Sequence, residues 1–138
     1  MKKIIILLMT LFIKFTFAGP ITEIFVSFSM PETLVRETLI EATKLKMPIY
    51  LNGLYKNSMD ETLKKILILS KTIPNLSLQI NPIAFKKYEI SKVPALVVSS
   101  NQGFDILYGN LSIKEGLARI ADVHNDSGLS QEDVKGIR

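Results

Sequence analysis

The sequence predicts an α/β fold built on a mixed sheet, and three observations carry that expectation. Beyond residue 20, short apolar runs alternate with helical repeats in the order β-α-β-α-β. A short helix follows, and then two alternating runs joined by the turn-rich "SSNQGF", which reads as a β-hairpin. The chain has 138 residues, enough for one domain with a leader and a tail. The alternating units favour parallel neighbours with right-handed crossovers, whereas the hairpin adds an antiparallel pair.

The elements follow in order. "EIFVSFS" is a strand with Ile24, Val26 and Phe28 on one face and Phe25 and Ser27 on the other. A helix to about Lys46 places Leu34, Val35, Leu39, Ala42 and Leu45 near one side, with Glu32, Arg36, Glu41 and Lys44 elsewhere. "MPIYLNGL" is a second strand with Pro48 at its mouth. "SMDETLKKILILSKTI" is a second helix stopped by Pro74, because a residue before proline is pushed out of the α region. "LSLQI" is a short third strand. Asn81 and Pro82 read as N-cap and first helical residue of a helix to Tyr88. Ala95 to Val98 is a buried strand, "FDILYG" its hairpin partner, and "SIKEGLARIADV" a closing amphipathic helix. The segment 124–138 has little apolar content and reads as a polar, flexible tail, which leaves 19–123 as the domain.

The first 18 residues have the layout of a secretory signal peptide. Lys2 and Lys3 precede the apolar Ile4 to Ile13, and small residues flank Phe17, so cleavage after Ala18 is expected. The apolar stretch is interrupted by Lys14 and is shorter than the roughly 20 residues that a spanning helix needs. A membrane association would therefore run only through an uncleaved leader. The net charge of +4 falls with cleavage, since Lys2, Lys3 and Lys14 leave 14 basic residues against 13 acidic ones. No basic stripe remains, which argues against direct nucleic-acid binding. Cysteine is absent, so thiol catalysis and disulfides are excluded.

Few motifs carry chemistry. Ser29-Met30-Pro31-Glu32 fits a capping box, in which the Ser29 hydroxyl accepts from the Glu32 N–H, and the spacing recurs at Ser58–Glu61 and Ser112–Glu115. That structural reading outweighs a nucleophilic serine, which needs a base. His124 is the only histidine and sits in the tail. With one histidine and no cysteine a metal site is not expected, and no Gly-rich phosphate loop occurs. Catalytic residues and cofactors are accordingly expected to be none. Pro94 precedes an apolar strand and cannot donate to a ladder, so it marks an edge, a strand mouth or a cis turn.

Taken together, "FSMPE", "INPIAFKKYEISKVPALVV", "YGN" and "SIKEGLARIA" resemble the TrbC proteins of F-type conjugative transfer systems, over about Ile24 to Ala121. The specific parts are "VSFSMP" and "KYEISKVPALVV", in that order and spacing. The resemblance implies a thioredoxin-like, three-layer α/β/α fold with a helical insertion after the second strand. By position, Ser29-Met30-Pro31-Glu32 occupies the slot of a redox C-x-x-C motif and keeps its third-place proline, while Pro94 matches the cis-proline that faces it. Ser29 and Glu32 cannot exchange disulfides.

What the resemblance leaves is recognition: a cis-proline loop can hold a partner's extended backbone by strand addition. The expected groove is lined by Phe28, Met30, Pro31, Val93 and Pro94. The implied role is a non-enzymatic periplasmic assembly factor for a conjugative pilus. Its implied partners are a TraW-like protein and, beyond it, pilin or other secretion-apparatus components. Two other classes stay open: a general periplasmic chaperone or peptide-binding module, and a serine-dependent hydrolase.

Overall fold

A computed structural model of the protein describes residues 18–110, 112–123 and 126–137. The leader expected over residues 1–18 lies outside these apart from Ala18, and so does His124. The chain runs β1 (Ile21–Val26), α1 (Glu32–Lys44), β2 (Ile49–Leu51), α2 (Met59–Thr72), β3 (Leu78–Ile80), α3 (Pro82–Lys87), β4 (Ala95–Ser99), β5 (Phe104–Tyr108), α4 (Ile113–Asp122) and α5 (Gln131–Gly136). A 3-10 turn at Tyr55–Asn57 precedes α2. The strands form one sheet in the order β3-β2-β1-β4-β5. Pairing is parallel from β1 to β2 and from β2 to β3, and antiparallel from β1 to β4 and from β4 to β5.

Alternation along the strands sends side chains to two helical layers. On one face Ile24, Val26, Ile49, Leu51, Leu96 and Val98 pack with Val35, Leu39 and Ala42 of α1 and Ile113, Leu117 and Ile120 of α4. On the other, Phe25, Ala95 and Val97 pack with Ala84 and Phe85 of α3 and with Tyr88. Tyr50 lies partly buried on that second face. Burial, followed by the charge of Glu23 and a hydrogen bond to it, pushes the Tyr50 hydroxyl above its ordinary pKa. The segment between β2 and α3 holds the inserted helix α2 and the edge strand β3. Arg36 of α1 ties α2 in place by donating to the Thr72 hydroxyl at 3.0 Å.

Helix starts show which sequence signals governed. Ser58 caps α2 by accepting from the Glu61 N–H, and Asn81 caps α3 by accepting from the Ala84 N–H. Ser112 and Glu115 form a reciprocal capping box on α4. Ser29 does not cap α1. The N-cap is Pro31, extended at φ −51° and ψ 136°, and the helix begins at Glu32. A cap at Ser29 would have required a helical Met30, a conformation that the following proline disfavours.

The C-terminal segment differs from the loose tail expected. Ser127 and Leu129 are buried, and α5 packs against α4 with Val134 and Ile137 reaching the main core. Ser130 and Asp133 form a second capping box. The anchor is Asp105 of the edge strand β5, whose carboxylate accepts from the N–H groups of Asp126 and Ser127 at 3.1 and 2.9 Å. Burial pushes the Asp105 carboxyl up, but contact with Ser127 and the two N–H donors together outweigh it and hold the pKa below the usual aspartate value. The Ser127 hydroxyl itself lies close to this carboxylate without completing a well-formed hydrogen bond.

Because its folded pKa is depressed, Asp105 adds stability above the unfolded value of about 3.9 and loses it as pH falls through the folded one. Amide protection factors across residues 126–137, taken relative to the slower intrinsic exchange in acid, are therefore expected to fall below about pH 4 before those of the sheet. An Asp105→Asn variant should show fast exchange there already at neutral pH. Equal protection in the two proteins would refute the anchor.

Candidate functional site: four loops at one end of the sheet

Strand register brings four loops to one end of the sheet. Val26 ends β1 beside Leu51 at the end of the parallel β2. Phe25 is opposite Ala95, where β4 begins, and Ala95 is opposite Tyr108, where β5 ends. Residues 27–31, 52–58, 92–94 and 109–110 thus share that end. The chain leaves β1 for β2 on one side and returns to β4 on the other, so β1 marks a topological switch point. Open α/β sheets bind ligands in the crevice at such a point.

The Ser27–Pro31 turn is closed by the Met30 N–H donating to the Ser27 carbonyl at 3.2 Å. Ser29 donates through both its N–H and its hydroxyl to the Ser27 hydroxyl oxygen, at 3.2 and 3.0 Å. That contact gives the Ser29 hydroxyl another serine, and not a base, as its acceptor. The described residues also contain no group of three or more His, Cys, Asp or Glu that could hold a metal ion.

The Val93–Pro94 peptide bond is cis. The Pro94 carbonyl accepts from the Gly109 N–H at 3.2 Å, which fastens the loop to the exit of β5. Val93 itself uses neither its N–H nor its C=O in a hydrogen bond among the described residues. One main-chain donor and one acceptor therefore remain for a partner beside the turn that starts α1.

The structure distributes the expected groove residues unevenly. Pro94 lines a cavity of about 160 Å³ together with Leu34, Glu37 and Glu41 of α1 and Leu107, Gly109 and Asn110 from the β5–α4 side. Pro31 is exposed at the N-terminus of α1, so both prolines lie at the same end of the molecule. Val93 is half-buried between the two cores. Met30 differs from expectation: at 8% exposure it belongs to the core beneath the turn and offers no open contact. Phe28 is half-buried and stacks edge-on against Tyr55 at 6.0 Å, with the Lys65 ammonium 4.9 Å from its ring centre.

Sequence reasoning missed the wall that Phe28 joins. Tyr55 lies in the loop before α2, and Lys65 sits 4.1 Å and Lys56 5.3 Å from its ring centre. Thr62, fully buried, holds this loop by accepting from the Tyr55 N–H at 2.8 Å and donating to the Ser58 carbonyl at 2.7 Å. A buried threonine one turn into α2 was the available signal, but nothing in its local sequence says what it binds.

Mixed-sheet α/β/α layering, with a cis-proline loop set against the N-terminus of the first helix, defines a thioredoxin-like protein. The solved structure of MTB DsbF in its mixed oxidized and reduced forms shares this fold. Its TM-score is 0.50 at 10% identity, over 77% of this chain and 81% of that one. Residues 24–120 match the family described as the type-F conjugative transfer system pilin assembly protein, and the chain belongs to that family. The periplasmic protein TrbC of Escherichia coli K12 is 39% identical over 97 residues, which cover 70% of this chain. The matched region spans 46% of that relative, somewhat under half its length.

Proposed function

We propose that this protein is a non-enzymatic, periplasmic assembly factor of a type-F conjugative transfer system that grips an extended segment of another component of the apparatus. The family's role in pilin assembly and the periplasmic relative support the setting. The observation that carries the mechanism is the unused backbone N–H and C=O of Val93 next to Pro94, at the end of the sheet where four loops meet. Strand addition there requires main-chain hydrogen bonds and shape, and no thiol. A TraW-like protein or a pilin subunit is the partner this reading favours. No helix among the described residues is long and apolar enough to cross a membrane.

Photo-crosslinking in pilus-assembling cells tests the proposal. A crosslinking amino acid at Pro31 or Asn110 is expected to capture one other transfer component. The same group at Asn101, in the β4–β5 turn at the opposite end of the sheet, is expected to capture none. Capture from Asn101 alone would overturn the reading, and capture of many unrelated chains from all three sites would favour a general chaperone. Ser29→Ala should leave pilus assembly unchanged. Loss of assembly by a folded Ser29→Ala protein would bring serine chemistry back.

A further inference from the structure

Two cavities of opposite charge are lined by loops from this end of the sheet, one reaching Pro94 and the other the Ser27 and Ser29 turn. The one under Pro94 has an apolar floor of Ile24, Leu34, Leu96 and Ile113, and its only charged lining residues are Glu37 and Glu41. The other, of about 360 Å³, is walled by Phe28 and Tyr55 with the Ser27 and Ser29 turn, and its charged lining residue is Lys56. The Lys65 ammonium lies over both of its rings. Glu32, Lys92 and Lys114 lie near this end but line neither cavity.

Among the described residues, none of Glu37, Glu41, Lys56 and Lys65 is in an ion pair. The one ion pair among the described residues joins Lys64 to Glu61. Glu41 accepts from the Lys114 backbone N–H at 3.3 Å, and Lys65 and Lys56 face aromatic rings. Charges held apart in two cavities act on whatever segment reaches both, and like-charge juxtaposition is penalised at either one.

We infer that the bound segment is dipolar. It carries an apolar side chain next to a lysine or arginine for the Glu37–Glu41 cavity, and an acidic group for the Lys56–Lys65 cavity. The inference rests on the proposed groove and deepens it, since it names the chemistry that the groove selects. Backbone pairing at Val93 supplies affinity for any extended chain, and the two charged ends choose among them.

Four acetylated and amidated peptides test it, sharing a central Val-Val-Leu. One carries Asp-Asp before it and Lys-Lys after it, and the others carry Lys-Lys, Asp-Asp or Ser-Ser at both ends. Titrated into the isotopically labelled protein at low salt, the dipolar peptide should bind about tenfold tighter than the like-charged ones. That preference should fade near ~1 M salt. Exchanging Glu37 and Glu41 for lysine should move the preference to the all-Asp peptide, and exchanging Lys56 and Lys65 for glutamate should move it to the all-Lys peptide. Glu37→Lys alone breaks no hydrogen bond and should shift the ranking in the same direction if the double variant fails to fold.

Equal affinities for all four peptides, with the Val93 amide responding to each, would overturn the dipolar inference and leave the groove standing. Tighter binding of the all-Lys than of the dipolar peptide would also overturn it. If no peptide moves the Val93 amide, the groove reading and this inference fall together.

Discussion

Replacing Phe25 by alanine is expected to remove about 3–5 kcal/mol of stability, the usual cost of truncating a fully buried phenylalanine. Phe25 is 0% exposed on the central strand, and its ring meets those of Phe85 at 5.0 Å, Tyr50 at 5.4 Å and Tyr88 at 5.9 Å. The contacts to Phe85 and Tyr88 are edge-to-face, at interplanar angles of 81° and 83°. That geometry adds about 0.5–1.5 kcal/mol per pair beyond area burial. A domain of this size holds only some 5–15 kcal/mol in total, so the variant should be at the margin of folding. Urea unfolding of the domain checks it. The comparison is Phe104→Ala: Phe104 also stacks on an aromatic neighbour, Tyr88 at 5.2 Å, but it is 46% exposed on an edge strand. Its loss should be much smaller, and equal losses would mean that the α3-side aromatic cluster is not the core described.

That cluster was half legible in the sequence. Strand alternation set Phe25 opposite Ile24 and Val26, which is how the two cores divide. The run "ALVV" marked β4 correctly because a strand inside the sheet, covered on both faces, has no polar side to alternate with. Caps at Ser58, Asn81 and Ser112 were readable because each depends on residues within one turn. Ser29 shared the spacing, yet Pro31 decided the outcome through the backbone of Met30. The C-terminal segment was misread because its binding energy is not local. Leu129, Val134 and Ile137 are sparse in sequence, and their partners, α4 and Asp105, lie earlier in the chain.

The proposed groove shows the same division. Pro94 alone read as an edge, a strand mouth or a cis turn, and the family resemblance selected the last; the cavity under it depends on Glu37, which gave no signal, and on Leu34 and Glu41, which sequence reading assigned only to the faces of an amphipathic helix. Tyr55, Lys56 and Lys65 gave no signal, since their meeting with Phe28 requires the loop that Thr62 fixes. The family resemblance marked where the proposed groove lies, and tertiary contacts set what surrounds it.

The fastening of that site predicts a second large effect, at Gly109. This residue has φ of +124°, a conformation close to glycine-only, and its N–H donates to the Pro94 carbonyl at 3.2 Å. An added Cβ would meet nothing within 4 Å, so a Gly109→Ala change acts through the backbone alone. Forcing alanine into such a region costs about 1–3 kcal/mol, and the chain's easiest relief is to rotate Gly109 and release its bond to Pro94. We expect urea unfolding to report a loss in that range and crosslinking from Asn110 to fall several-fold, because the Val93–Pro94 loop loses the tie that presents its free backbone groups. Gly136→Ala is the control. Gly136 ends α5 with no positive φ and open space around its Cβ position, so alanine there should be neutral or gain up to about 1 kcal/mol from helix propensity. A Gly109→Ala protein as stable as the parent, with crosslinking undiminished, would show that the bond between the β5 exit and Pro94 does not hold the groove in place.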